Sequence, residues 1–160
     1  MTSHLTSELV WKELNRQLFA VLGMVTAKGK ARTVGVVYIT HNHQLYISTQ
    51  KQAWKARHIR NNPSVSLTIP IHKSVPFMPW IKIPAATITF SGEASLQDAA
   101  TIPTEILHKL YHGRETNPGI LQETAVIAVK PTGQFITYGI GISLMDMRFP
   151  EKARGRVAVT

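Results

Sequence analysis

The stretch LYISTQKQAWKARHIRNNPSVSLTI, residues 45–69, decides the fold because it places a short helix between two strands. Residues 45–49 have the composition of a strand, and Ala53, Ala56 and Ile59 then recur at helical spacing. An Asn-Asn-Pro step ends the helix, and the apolar run that follows it predicts the next strand. The sequence therefore predicts a sheet that one short helix interrupts.

A β-hairpin is predicted just before this stretch. The apolar runs over residues 18–25 and 34–39 flank the turn Ala27-Lys28-Gly29-Lys30, whose glycine permits a positive φ. Together with the strand over residues 45–49, these runs predict a meander of three strands.

The rest of the chain continues the mainly β pattern. The remaining predicted elements are a first helix from Thr6 or Ser7 to Gln17, a strand over residues 65–71, a strand over 87–96, a helix over 98–112, and a final pair of strands over 125–131 and 134–142. Between them, residues 70–84 hold four prolines and several large apolar side chains, and we expect this loop to form an interface or a pocket wall. Six or seven strands joined by hairpins predict an antiparallel β-barrel in one domain over residues 1–160.

Composition limits the class of protein. A chain of 160 residues with 44% hydrophobic content can bury one sizeable core. It has no apolar run long enough to span a bilayer, and Glu8, Lys12 and Glu13 stand where a signal peptide would be apolar, so we expect a cytoplasmic protein with no membrane segment. The absence of cysteine excludes disulfides and thiol chemistry.

The charge of the chain is strongly one-sided. The formal net charge is +9, and no Asp or Glu occurs over residues 15–92. That acid-free segment contains Arg16, Lys28, Lys30, Arg32, Lys51, Lys55, Arg57, Arg60, Lys73 and Lys82. Such a segment attracts anions, and it fits a phosphorylated small molecule, nucleic acid, an anionic membrane surface or a merely solvated basic face.

Two lysines of the acid-free segment stand where a helix repels cations. Lys51 and Lys55 are predicted around the first turn of the helix after residues 45–49, where the helix carries a partial positive charge. A bound phosphate relieves this conflict by accepting hydrogen bonds from helix N–H groups, the Lys55 ammonium and the hydroxyl of Ser48 or Thr49. The alternative is that both lysines point into water.

The order of these motifs resembles the FMN-binding split-barrel family typified by pyridoxamine 5′-phosphate oxidase. A strand ending in Ser-Thr is followed by a spacer, Lys-Ala-Arg, Arg-Asn-Asn-Pro and a Val-Ser-Leu strand. The resemblance covers roughly residues 14–94 and includes the strand over 19–26, the Gly29 turn and the Gly92-Glu93-Ala94 step.

This resemblance implies an antiparallel split β-barrel of Greek-key type that forms a homodimer with FMN at the subunit interface. It implies that Lys55 binds the FMN phosphate, that Ser48 and Thr49 lie along the cofactor, and that the strand over residues 32–36 runs beneath the flavin. The cofactor-binding residues it predicts are Arg32, Thr33, Val34, Ser48, Thr49, Gln50, Lys51 and Lys55.

The function implied is that of an FMN-dependent oxidoreductase of unknown substrate. A non-catalytic carrier or sensor of flavin, deazaflavin or haem is the alternative within the family. The C-terminal tail does not match the oxidase's substrate-binding histidine and arginine, so the resemblance does not extend to pyridoxamine phosphate oxidation. From another class, the basic half of the chain fits a nucleic-acid-binding module, but it lacks a recognition motif.

Histidine pairs do not predict a metal site. His41 and His43 flank Asn42, and a hairpin turn is favoured there because no carboxylate lies nearby in the sequence. His108 and His112 lie one helical turn apart, but HKLYH lacks the glutamate of a zinc-hydrolase helix. We expect no metal, and no catalytic set of nucleophile, base and acid is recognised.

Overall fold

The computed structural model describes residues 5–160, except for the side chain of Thr116. Its eight strands form one sheet in which all neighbouring strands are antiparallel. They are β1 (Phe19–Val25), β2 (Ala31–Val37), β3 (Ile39–His41), β4 (Gln44–Gln50), β5 (Ser64–Ile71), β6 (Ala86–Asp98), β7 (Thr124–Tyr138) and β8 (Arg154–Ala158). Their order is β2-β1-β5-β6-β7-β4-β3, with β8 paired to β7. The mainly β, split-barrel fold is confirmed.

The two edge strands of this sheet are consecutive in the chain. Only Tyr38 separates β2 from β3, and its phenol hydroxyl, which donates to the Leu14 carbonyl at 2.8 Å, fixes this corner. One extended segment therefore pairs with β1 through its first half and with β4 through its second half. The predicted meander is present in this bent form, and the sheet curls into a barrel with a split between β2 and β4.

Apolar side chains on the two faces of the sheet form two separate cores. The barrel interior is filled from every wall, and its largest fully buried members include Leu22, Ile47, Leu67, Phe90 and Phe135. A second, smaller cluster lies on the outer face of β4 and β7, where Tyr46, Val126 and Ala128 pack against a helix. Residues of β4 and β7 are thus buried on both sides.

The helices are short and cover the ends and one side of the barrel. They are α1 (Ser7–Leu14), α2 (Trp54–Asn61), α3 (Thr104–Tyr111), α4 (Pro118–Glu123) and α5 (Pro150–Ala153). Thr6 caps α1 by accepting from the Leu9 N–H, as predicted, although the helix ends earlier than Gln17. Within the described residues, no helix is long and apolar enough to cross a membrane. The first four residues of the charged N-terminal segment lie outside the described part.

Two predicted elements differ from the structure, and a further strand lies where none was predicted. The helix predicted over residues 98–112 is divided, because Pro103 cannot continue a helix; a short 3₁₀ turn over Ala99–Thr101 precedes it and α3 follows. The predicted final pair of strands is the single strand β7, whose irregular step contains Gly133 at φ +71°. The strand β8 lies in a tail for which no regular element was predicted.

The loop between β5 and β6 is exposed and apolar. The side chains of Phe77 and Trp80 are 97% and 73% exposed, so this loop does not contribute them to either core. Its predicted role as an interface or pocket wall stays a prediction.

Candidate functional site

A cleft of about 370 Å³ opens where the barrel is split. One wall is the edge of β2 that faces away from β1; β2 pairs only with β1 among the described strands, so its other edge keeps backbone N–H and C=O groups free of the sheet ladder. The lining comprises Leu18, residues 35–39, Ile47, Ser48, Lys55, Lys109, Leu110 and His112. None of these described lining residues is acidic, so the cleft is positively charged and suits an anion.

Lys55 is the best-placed cation in this cleft. It is half-buried in the first turn of α2, and none of the described residues forms an ion pair or side-chain hydrogen bond with it. The helix has Ala53 at its N-cap, no side-chain cap and no acidic residue in its first turn. An unpaired cation thus stands beside uncapped helix N–H groups, which is the arrangement that an anion stabilises.

Lys51 is placed differently from the prediction. Two residues separate it from α2, and its ammonium forms an ion pair with Asp98 at 2.9 Å. Hydrogen bonds from Lys51 and then from the Ala100 N–H hold the pKa of the Asp98 carboxyl below its usual value of 3.8. The charge of Lys51 is therefore balanced within the protein, and Lys55 alone of the two remains in conflict with the helix.

Ser48 lies on β4 and takes part in a chain of hydroxyl groups. Its Oγ is 3.0 Å from the phenol oxygen of Tyr111, at the end of α3, and that oxygen is 3.1 Å from Thr124 Oγ1. The chain ends where the Thr124 hydroxyl donates to the Ile120 carbonyl at 2.6 Å. Ser48 therefore connects the cleft with a polar network behind it.

The other predicted site residues do not line the cleft. Thr49 points into the barrel and is only 5% exposed, while Gln50 is exposed at the end of β4. Arg32 and Thr33 are exposed on β2, and Val34 is half-buried. The Arg32 guanidinium donates to the neighbouring Ala31 carbonyl at 3.2 Å. The structure thus brings Lys55 and Ser48 together with the later part of β2.

Four lining or supporting residues come from α3 and its C-cap, where the sequence predicts only a helix with surface histidines. Lys109, Leu110 and His112 line the cleft, and Tyr111 supports Ser48. The only signal in the sequence is the segment HKLYH, which does not match a zinc-hydrolase motif. The contact between α3 and β4 depends on the packing of the second core, and spacing along the chain does not reveal that packing.

Histidines surround a wider cleft that shares a wall with the first. This cleft has a volume of about 980 Å³, and its lining includes His41, His43, His108 and His112. Asn42 and His43 both have positive φ, which confirms the predicted hairpin turn. His41 Nδ1 lies 3.6 Å from Glu105, and His108 Nδ1 lies 2.7 Å from Glu115. No group of three or more metal-ligating side chains occurs in the described part of the chain.

Comparison with known proteins shows which family the chain resembles. The family model described as pyridoxamine 5′-phosphate oxidase matches residues 7–135. No curated protein matches the chain.

Solved structures with the same fold share little sequence with this chain. A pyridoxamine 5′-phosphate oxidase-like protein of Listeria innocua is 19% identical, with 78% of this chain and 92% of that one covered at a TM-score of 0.58. The haem storage protein of Vibrio cholerae is 17% identical, with 86% and 98% covered at 0.64. An F420 reductase is 22% identical, with 76% and 91% covered at 0.54. These similarities show a common fold.

Proposed function

Because the chain belongs to the pyridoxamine 5′-phosphate oxidase family, we propose that it binds FMN in the cleft between β2 and β4 and acts as a flavin-dependent oxidoreductase. The observation that carries the proposal is the unpaired, half-buried Lys55 in a cleft without acidic lining residues. A monoanionic or dianionic phosphate is the ligand group that balances this charge.

The residues present fit this cofactor. Lys55 and the N-terminal N–H groups of α2 would hold the phosphate, and Ser48 would contact the neighbouring part of the ligand. The free edge of β2 over residues 35–37 offers backbone donors and acceptors to a flat heterocycle. The volume of about 370 Å³ lies in the range of small-molecule pockets. FMN supplies the electron transfer when bound, while the protein orients it and limits access of water.

Titration of the apoprotein tests this proposal. We expect FMN to bind with a stoichiometry of one per chain and more tightly than riboflavin, since only FMN carries the phosphate. Equal affinity for the two flavins would contradict the proposal that the basic cleft binds the phosphate. No binding of either flavin would refute the proposal as a whole.

A haem carrier is the second candidate, and a specific feature favours it. Four histidines line the wider cleft of about 980 Å³, and imidazole is a common axial ligand of haem iron. The relative from Vibrio cholerae that is named as a haem storage protein shares the fold. Titration with haem separates the two candidates: a Soret band that shifts on binding and is lost in a His-to-Ala series along this cleft would favour haem.

We also propose that the protein is a homodimer located in the cytoplasm. Phe19 and Val37 pair across β1 and β2 and are both substantially exposed, so the outer face of the sheet beside the cleft is apolar. Covering this face with a second copy would remove the apolar surface from water. Light scattering should give twice the chain mass of 17.8 kDa, and a monomeric protein that still binds FMN would contradict the dimer.

A further inference from the structure

The hydroxyl chain behind the cleft has a fixed direction. A hydroxyl group carries one proton, and a carbonyl oxygen can only accept a hydrogen bond. Because Thr124 donates its proton to the Ile120 carbonyl, it can only accept from Tyr111. Tyr111 thereby uses its own proton and must accept from Ser48.

Ser48 consequently faces the cleft as an acceptor. Its single proton is directed at Tyr111, and only the lone pairs of Oγ remain for a ligand. A phosphate dianion also offers only acceptors, so Ser48 is unsuited to contact it. This differs from the expectation that the Ser48 hydroxyl donates to a phosphate.

We propose that Tyr111 is a specificity-determining positioning residue, which turns Ser48 into an acceptor and thereby selects a ligand hydroxyl at this point of the cleft. The inference rests on the proposed function. Lys55 lines the same cleft and takes the phosphate, and in FMN the group that follows the phosphate is a polyol chain with hydroxyl donors. Lys55 and Ser48 thus recognise two successive parts of one ligand by opposite chemistry.

The proposed hydrogen bond from a ligand hydroxyl to Ser48 lies where water has little access, which makes it selective for ligands with a donor. Tyr111 is buried in the second core, and Thr124 is half-buried, so water does not readily replace a member of the chain. A ligand without a donor at this position would leave the Ser48 lone pairs unsatisfied when it closed the cleft.

Three flavins and two variants test the proposal. Dissociation constants are measured by quenching of flavin fluorescence for FMN, for riboflavin, which lacks the phosphate, and for lumiflavin, which lacks both polyol and phosphate. In Ser48→Ala we expect FMN and riboflavin to weaken by the same factor of roughly five, the effect of one neutral hydrogen bond. In Tyr111→Phe the Ser48 hydroxyl keeps its lone pairs and its proton becomes free, so we expect a smaller loss for both flavins than in Ser48→Ala. Lumiflavin binding should not change.

Other patterns of change in the three dissociation constants would contradict the proposal. A loss confined to FMN would place Ser48 on the phosphate and overturn the proposal, as would no loss for either FMN or riboflavin. An equal loss for all three flavins would assign Tyr111 a merely structural role. Lys55→Ala, measured in parallel, should weaken FMN alone and so reports on the proposed function separately.

A neutron structure of the protein provides a second test that needs neither variant nor ligand. We expect the deuteron on Ser48 Oγ to point at Tyr111 and the one on Tyr111 to point at Thr124. A Ser48 deuteron directed into the cleft would overturn the proposed direction of the hydroxyl chain. If the unsubstituted protein binds no flavin, the proposed function fails, and this map still decides the direction of the hydroxyl chain.

Discussion

Replacing Lys55 by alanine removes the one unpaired cation that the structure places in the cleft beside the start of α2. The change leaves the described ion pairs intact, because none of them involves Lys55. We therefore expect Lys55→Ala to fold normally and to lose affinity for the phosphate of FMN.

The size of the loss follows from the burial of the side chain. A charge-assisted hydrogen bond contributes about 1.5–3 kcal/mol. Lys55 is half-buried, so water screens part of this, and we expect about 1–2 kcal/mol, or a roughly 5- to 30-fold weaker binding of FMN. Riboflavin has no phosphate, so its affinity should stay the same.

Fluorescence titration of both flavins provides the assay. Lys28→Ala is the matched control, because Lys28 is an exposed lysine of the acid-free segment in the turn between β1 and β2, away from the lining of the cleft. It changes the net charge by the same amount and should leave both affinities unchanged. Raising the salt concentration should weaken FMN binding in the unsubstituted protein more than in Lys55→Ala.

The outcome that refutes this reasoning is an equal loss of FMN and riboflavin in Lys55→Ala. Such a result would show that Lys55 contacts the ring or supports the fold. A comparable loss of FMN in Lys28→Ala would show instead that the overall positive charge, and no particular lysine, attracts the ligand.

Further predictions concern residues that stabilise the fold. Lys51 keeps the pKa of Asp98 below its usual value of 3.8, so this carboxylate stabilises the fold at pH values above 3.8. The stabilisation is lost as the pH falls through the lowered pKa. In Asp98→Asn, the free energy of unfolding by urea should therefore depend less on pH in the acid range. Gly92→Ala places a Cβ 2.9 Å from a carbonyl of β7, so the midpoint of thermal unfolding should fall, reflecting a cost of about 1–3 kcal/mol. Tyr38→Phe removes the shorter of two hydrogen bonds to the Leu14 carbonyl, which keeps the one from the Gln17 N–H at 3.3 Å, and should cost about 1 kcal/mol in urea unfolding.

Unchanged stability in any of these three variants would contradict the contact assigned to that residue. An unaltered acid profile in Asp98→Asn would mean that Lys51 is free to bind a ligand. Unchanged stability in Gly92→Ala would show that β6 and β7 can separate locally, and unchanged stability in Tyr38→Phe would remove the proposed anchor of the β2–β3 corner.

Local patterns in the sequence predicted the part of the fold that surrounds α2. Strand, helix and strand follow one another over residues 45–69, and each is specified by neighbouring residues, so periodicity and the Asn-Asn-Pro step were sufficient. The hairpin at Asn42 was likewise predicted from adjacent residues. Lys55 and Ser48 were selected by the same local pattern and by family resemblance, and both line the cleft.

Long-range contacts explain what the sequence did not reveal. Asp98, which neutralises Lys51, is 47 residues away, and Tyr111, which orients Ser48, is 63 residues away. The first contact depends on the pairing of β7 with both β4 and β6, and the second depends on the packing of α3 against β4. Apolar periodicity over residues 98–112 predicts one helix, whereas the chain forms two short segments on either side of Ile102 and Pro103.

The visible absorption spectrum of the protein purified from its cells, with identification of any group released on denaturation, tests the central claim most directly. We predict the two absorption bands of an oxidised flavin and release of FMN, and a colourless preparation should acquire them on addition of FMN. A Soret band with release of haem, or a colourless protein that does not bind added FMN, would contradict the claim.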